Sequence, residues 1–201
     1  MTLSSLTRRA LCKASFCALA LMGLAHTAIA QDAPRVKFVT NAGEFVVEVY
    51  PDKAPKTVDN FLQYVRDKHY DGTIFHRVIG NFMIQGGGYD ARYFEKPTRA
   101  PVVHEGREAL AKGGPRNTVG TIAMARTNVP NSATSQFFIN VVDNSFLDPT
   151  PQQPGYTVFG RVISGMDAVQ RIRAVQTGPG GPFASDVPRT TIVIQSATLE
   201  K

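Results

Sequence analysis

Arg77 and Gln85 are out of place where they stand. They flank Gly80-Asn81 within FHRVIGNFMIQGG, residues 75–87, whose Val78, Ile79, Phe82, Met83 and Ile84 otherwise read as two short apolar strands around a two-residue turn. A guanidinium is always charged and offers donors in a rigid planar fork, so its chemistry is to hold an acceptor, not to shuttle protons. Inside an apolar strand pair it needs a partner, which is either an interior acid or a ligand in a groove. Alternation puts Met83 and Gln85 on one face of the second strand and Phe82 on the other, so Phe82 joins them only through twist or from the strand's start.

Other chemistries lack their residues. The chain has no G-x-S-x-G, no H-E-x-x-H and no P-loop, and His104-Glu105 is not a metal motif. His76 sits beside Arg77 on the opposite strand face and reads as a hydrogen-bonded structural residue, while His69 and His104 fall in turns and read as solvated. Gly86-Gly87-Gly88 superficially fits a dinucleotide loop, but no amphipathic helix follows and no βαβ repeat surrounds it.

The flanking elements are mostly short strands. Residues 36–40 and 44–50 alternate across Asn41-Ala42-Gly43 as a hairpin. Pro55 opens a helix with an apolar stripe at Val58, Phe61, Leu62 and Val65. Residues 89–118 read as a long surface excursion with one short strand at 101–103. Strands follow at 121–125 and 136–142, joined by a polar loop, and another at 157–163. Ser164 is placed to cap a second helix whose stripe is Met166, Val169 and Ile172. Residues 175–188 carry repeated Pro and Gly and read as irregular, before a last strand at 190–196. Many short strands with hairpin-length connections and two helices predict an antiparallel barrel or sandwich.

Residues 1–30 have the composition of a secretory signal peptide: Arg8, Arg9 and Lys13 without an acid, an apolar run from Phe16 to Ala25, and Ala28-Ile29-Ala30 before Gln31. The run is too short to span a bilayer, so no membrane anchor is expected after cleavage. Thr7-Arg8-Arg9 also has a twin-arginine look, but Arg pairs are common in ordinary signals and the Sec route is favoured. Cleavage leaves residues 31–201 as one domain and removes both cysteines, excluding thiol redox chemistry and cysteine-ligated metals from the mature chain. It also removes three cations, taking the net charge from +6 to +3, and the rest are scattered without the basic stripe that nucleic acid would require.

At residues 75–87 the sequence resembles the cyclophilins, peptidyl-prolyl cis-trans isomerases with the signature FHRVIPGFMxQGG; here Gly80-Asn81 replaces Pro-Gly. The likeness runs from about Val36 to Ser196, with gaps around 88–116 and 148–155, and includes a second motif at residues 120–125 and 135–139. It implies a mainly β fold, a closed eight-stranded antiparallel barrel with two capping α-helices and an external groove. It also implies Arg77 as the donor that stabilises a twisted prolyl amide, Phe82, Met83, Phe138 and Leu147 as the proline seat, and Gln85 as the backbone anchor. Ala125, the Arg126 backbone, Phe146 and Tyr156 match further groove positions. On periodicity alone the apolar members of this set read as core.

The resemblance thus implies a cofactor-free and metal-free isomerase, monomeric, acting on proline-containing unfolded or partly folded polypeptides. Phe146 stands where many eukaryotic cyclophilins carry tryptophan and Tyr156 where they carry histidine, a pattern similar to secreted bacterial members, so periplasmic location and weak cyclosporin binding are expected. The rival reading is a proline-peptide binding module or holdase without turnover.

Overall fold

Burial alternates residue by residue along the first two strands, with Val36, Phe38 and Thr40 buried between more exposed Arg35, Lys37 and Val39, because one face of each packs inward while the other meets solvent. The computed structural model describes residues 33–200, and the signal-peptide reading lies outside them. In chain order the elements are β1 (Arg35–Thr40), β2 (Gly43–Val49), α1 (Pro55–Arg66), β3 (Thr73–Ile79), β4 (Met83–Asp90), α2 (Gly106–Ala111), β5 (Thr121–Met124), β6 (Phe137–Asn140), β7 (Val158–Ser164), α3 (Met166–Arg173), β8 (Thr177–Gly180), β9 (Phe183–Pro188) and β10 (Ile194–Leu199).

Eight strands form one antiparallel sheet in the order β10-β1-β2-β7-β5-β6-β4-β3. Its two ends meet: the Gly72 N–H donates to the Ile194 carbonyl at 2.8 Å, the Phe75 N–H to that of Ile192 at 2.9 Å, and Ile74 bridges Val193. Closure into a barrel removes the edges that would otherwise expose unpaired backbone. Its interior is aromatic. Phe61 of α1 reaches in to pack on Phe159 at 5.0 Å, and Phe38 stacks on Phe45 at 4.9 Å and meets Phe137 at 5.5 Å.

The start of α1 is capped from a distance. Pro55 occupies the first turn, Ala54 offers no side-chain cap, and the buried Glu105 carboxylate instead accepts from the Lys56 N–H (3.1 Å), the Thr57 N–H (2.7 Å) and the Thr57 hydroxyl (2.8 Å). A carboxylate on these free N–H groups also complements the helix dipole.

Four expectations need correction. A third, short helix, α2, lies in residues 89–118, where the periodicity of six residues is too brief to read. Residues 101–103 form no strand; Val102 makes an isolated bridge to Ala133. Gly165, at φ +75°, and not Ser164, caps α3; a Cβ there would sit 2.2 Å from the Glu44 carbonyl oxygen, and Ser164 ends β7. Residues 175–188 contain the β8–β9 hairpin, hidden in sequence because glycine and proline occupy its strands.

Candidate active site

On the outside of the barrel, strand registers assemble a row of side chains on one face. Arg77 pairs with Gln85, Gln85 with Phe138, Phe138 with Ala123 and Ala123 with Val158, crossing β3, β4, β6, β5 and β7. Met83, Ala123, Phe138, Leu147 and Val158 form a buried cluster separate from the barrel interior, with Phe82, Ala125 and Tyr156 packed against it. Arg77 and Gln85 stand at one end of this apolar floor.

A cavity of about 340 Å³ opens over the floor, with Arg77, Phe82, Met83, Gln85, Ala125, Arg126, Phe138, Leu147 and Tyr156 all lining it. Phe146 does not line it; it lies on the rim, 63% exposed, its ring stacked 5.6 Å from that of Phe82. Phe82 reaches the cavity because it precedes β4. The turn has three residues, not two: Ile79 pairs with Met83, and the Phe82 N–H closes the turn on the Ile79 carbonyl at 2.9 Å. The parity conflict in the sequence therefore disappears.

Buried polar groups hold the seat in place. The Asn144 amide donates to the Phe82 carbonyl at 2.9 Å and to Asn140 Oδ1 at 2.7 Å. Buried Asp148, beside Leu147, accepts from the Asn117 N–H (2.8 Å) and side-chain amide (3.0 Å). At the other end the Gln85 amide donates to Gln136 Oε1 at 3.1 Å, so Gln136, which sequence reasoning missed, orients the backbone anchor. The Arg126 side chain is committed elsewhere: Nε and Nη2 donate to the Gly155 carbonyl at 3.1 and 2.7 Å, and the guanidinium lies 4.6 Å over the Tyr156 ring. It serves as a wall and leaves only its backbone for a ligand.

His76 departs from its expected place. The register shifts between Phe75 and Arg77, so His76 is the extra residue of a bulge and lines the same cavity as Arg77 instead of the opposite face. It is held by rings, 4.8 Å from Tyr89 and 5.3 Å from Phe183, while its Nδ1 is buried without a hydrogen-bond partner. Burial, and secondly the neighbouring Arg77 charge, lowers its pKa to about 4, so it is neutral at pH 7. His69 and His104 are not solvated. His69 is buried with Nε2 3.2 Å from the Gly87 carbonyl, and half-buried His104 is 3.2 Å from that of Gly155; burial lowers both pKa values.

Arg77 is half-exposed, and its Nε lies 3.8 Å from the Asp186 carboxylate on β9. The acid partner that an arginine in an apolar strand requires thus comes from the surface hairpin, not the interior. Tyr89, Phe183 and Asp186 were also missed by sequence reasoning, since two of them belong to the segment whose hairpin was not legible.

The family described as cyclophilin type peptidyl-prolyl cis-trans isomerase/CLD matches residues 35–199. The chain is 49% identical over 169 residues to peptidyl-prolyl cis-trans isomerase B of Escherichia coli (strain K12), covering 83% of this chain and 99% of that one. It is 48% identical over 183 residues to a peptidyl-prolyl cis-trans isomerase of Acinetobacter baylyi, covering 91% and 94%. A Cryptosporidium parvum cyclophilin type isomerase, 24% identical, shares the fold with a TM-score of 0.66 over 84% of this chain and 98% of its own. Match, identity and fold agree: the chain belongs to the cyclophilin-type peptidyl-prolyl cis-trans isomerases.

Proposed function

We propose that the groove accelerates rotation about X-Pro bonds in exported chains by electrostatic stabilisation of the twisted amide, with Arg77 as the donor. Rotation breaks no covalent bond; its barrier of roughly 18–20 kcal/mol is lost amide resonance. As the bond twists, the prolyl nitrogen regains a lone pair, and a guanidinium N–H beside it stabilises that state selectively. One donor in such a site contributes about 3–4 kcal/mol, and alignment of the peptide adds the remainder. Phe82, Met83, Phe138 and Leu147 seat the proline ring, Gln85 holds the flanking backbone, and Ala125, the Arg126 backbone, Tyr156 and the rim residue Phe146 flank the peptide. Seating the ring favours both isomers equally, so it aids binding more than rate.

The observation that carries this reading is the row from Arg77 and Gln85 onto the apolar floor of Phe138 and Ala123, a cation at the end of an apolar seat. No group in it has to transfer a proton, and the mechanism calls for no cofactor or metal. The export-type composition of residues 1–30 supports action in the periplasm, on unfolded or partly folded chains containing proline, and the reading takes the protein to act as a monomer. Phe146 offers no ring donor, which makes cyclosporin a weak ligand.

Exchange spectroscopy on an Ala-Pro peptide tests the activity. Catalytic quantities of protein should raise the cis-trans exchange rate far above the uncatalysed one. Saturable peptide binding without faster exchange would replace the reading with that of a binding module or holdase.

A further inference from the structure

We propose that Asp186 is a positioning residue for Arg77: its carboxylate biases the guanidinium toward the orientation in which it serves the groove. The inference rests on Arg77 being the donor. Asp186 approaches through Nε at 3.8 Å, and among the described residues no hydrogen bond engages the terminal nitrogens of Arg77, which lines the cavity. Those donors are left for a ligand while the stem is restrained.

The carboxylate is put there by design of the hairpin, not by drift of a loose loop. Asp186 is one of three non-glycine residues among those described with positive φ, +66°, a conformation that aspartate tolerates better than most residues. It falls between two anchors. On one side Phe183 stacks on His76 at 5.3 Å and meets Tyr89 edge-on at 5.2 Å; on the other Val187 is buried and pairs with Gly178. With both flanks fixed, the strained residue between them is held where its side chain meets Arg77.

The pair is half-exposed and longer than a close ion pair, so its bias is small and sensitive to salt. A weak restraint suits the task, since a tight one would withhold the donor from the peptide.

The test uses an uncharged Ala-Pro peptide, so that salt acts on the protein pair. Asp186→Asn keeps tolerance of positive φ and removes the charge; it should lower kcat by about three- to fivefold with KM changed less than about twofold. Rising salt should bring the unmodified protein down toward the variant, whose own rate stays flat. Asp186→Gly relieves the strained φ, so it should be at least as stable as the parent yet equally slow, separating charge from turn geometry. In an Arg77→Ala background, Asp186→Asn should have no further effect. An Asp186→Asn rate equal to or above the parent's, or the same slowing without Arg77, overturns the proposal. If Arg77→Ala itself is fully active, the donor reading fails instead.

Discussion

The barrel interior and the groove floor are built from the same residue types on opposite faces of the same strands. Along β6, Phe137 packs inside while Phe138 lies on the floor; along β4, Ile84 packs inside between Met83 and Gln85; along β5, Ile122 and Met124 point inward and Ala123 outward. One face is sealed by α1 and by ring-on-ring packing. The other is buried almost as deeply but ends at Arg77 and Gln85 and opens into a cavity. Hydrophobicity therefore does not distinguish structure from function here. The polar intruders do.

Truncating neighbours on β6 should separate the two regions most widely. Phe137→Ala leaves a void in the sealed interior and should cost about 3–5 kcal/mol, seen as a lower urea midpoint. Phe138→Ala opens a space that water reaches from the cavity, so it should cost clearly less while raising KM for a proline peptide. Equal stability losses with unchanged KM would merge the floor with the core.

An effect of on the order of 3 kcal/mol at most is expected from His76, which belongs to the groove wall but is buried like core. Its native pKa of about 4 lies below the value near 6.5 of an unfolded histidine, so as pH falls the unfolded chain takes up the proton first. The neutral ring's contribution is whole above about pH 6.5 and is lost progressively down to about pH 4. His76→Gln should therefore show a smaller stability difference between pH 7 and pH 4.5 than the parent does, His69 and His104 supplying the remaining slope with the same sign. Turnover by the folded parent should be nearly flat from about pH 6 to 9, because the mechanism transfers no proton. A bell-shaped profile in that range would point to a proton transfer.

The rim should respond least. Phe146→Trp adds an indole donor outside the cavity and should tighten cyclosporin at least about tenfold by calorimetry, with kcat/KM changed less than about threefold. Equal affinities would assign drug sensitivity to Tyr156 or the loop after Asp148.

The short antiparallel strands were legible from alternation, while the resemblance chose a barrel over a sandwich; of the ten residues it implied for the groove, nine line the cavity, and six of these, Arg77, Phe82, Met83, Gln85, Ala125 and Phe138, fall within the two motifs. What escaped depends on tertiary geometry. A single bulge at His76 moves one side chain to the other face, and no pattern of apolar residues announces it. Phe82 posed a parity problem only while the turn was read as two residues instead of three. The β8–β9 hairpin, with Phe183 and Asp186, carries residues that resemble a loop, and only its docking on β3 and β4 turns it into a wall of the site. Glu105 shows the same limit, since a cap supplied from another element leaves no local signature at Ala54.

Arg77→Ala, assayed for exchange on an Ala-Pro peptide beside a thermal melt, tests the central claim most directly. The guanidinium is half-exposed and outside the barrel interior, so removing it should leave the melting temperature within a few degrees while kcat/KM falls by on the order of a hundredfold or more. Arg77→Lys should recover little, because a compact ammonium does not reproduce the planar fork. A folded Arg77→Ala protein with near-parental turnover would contradict the account.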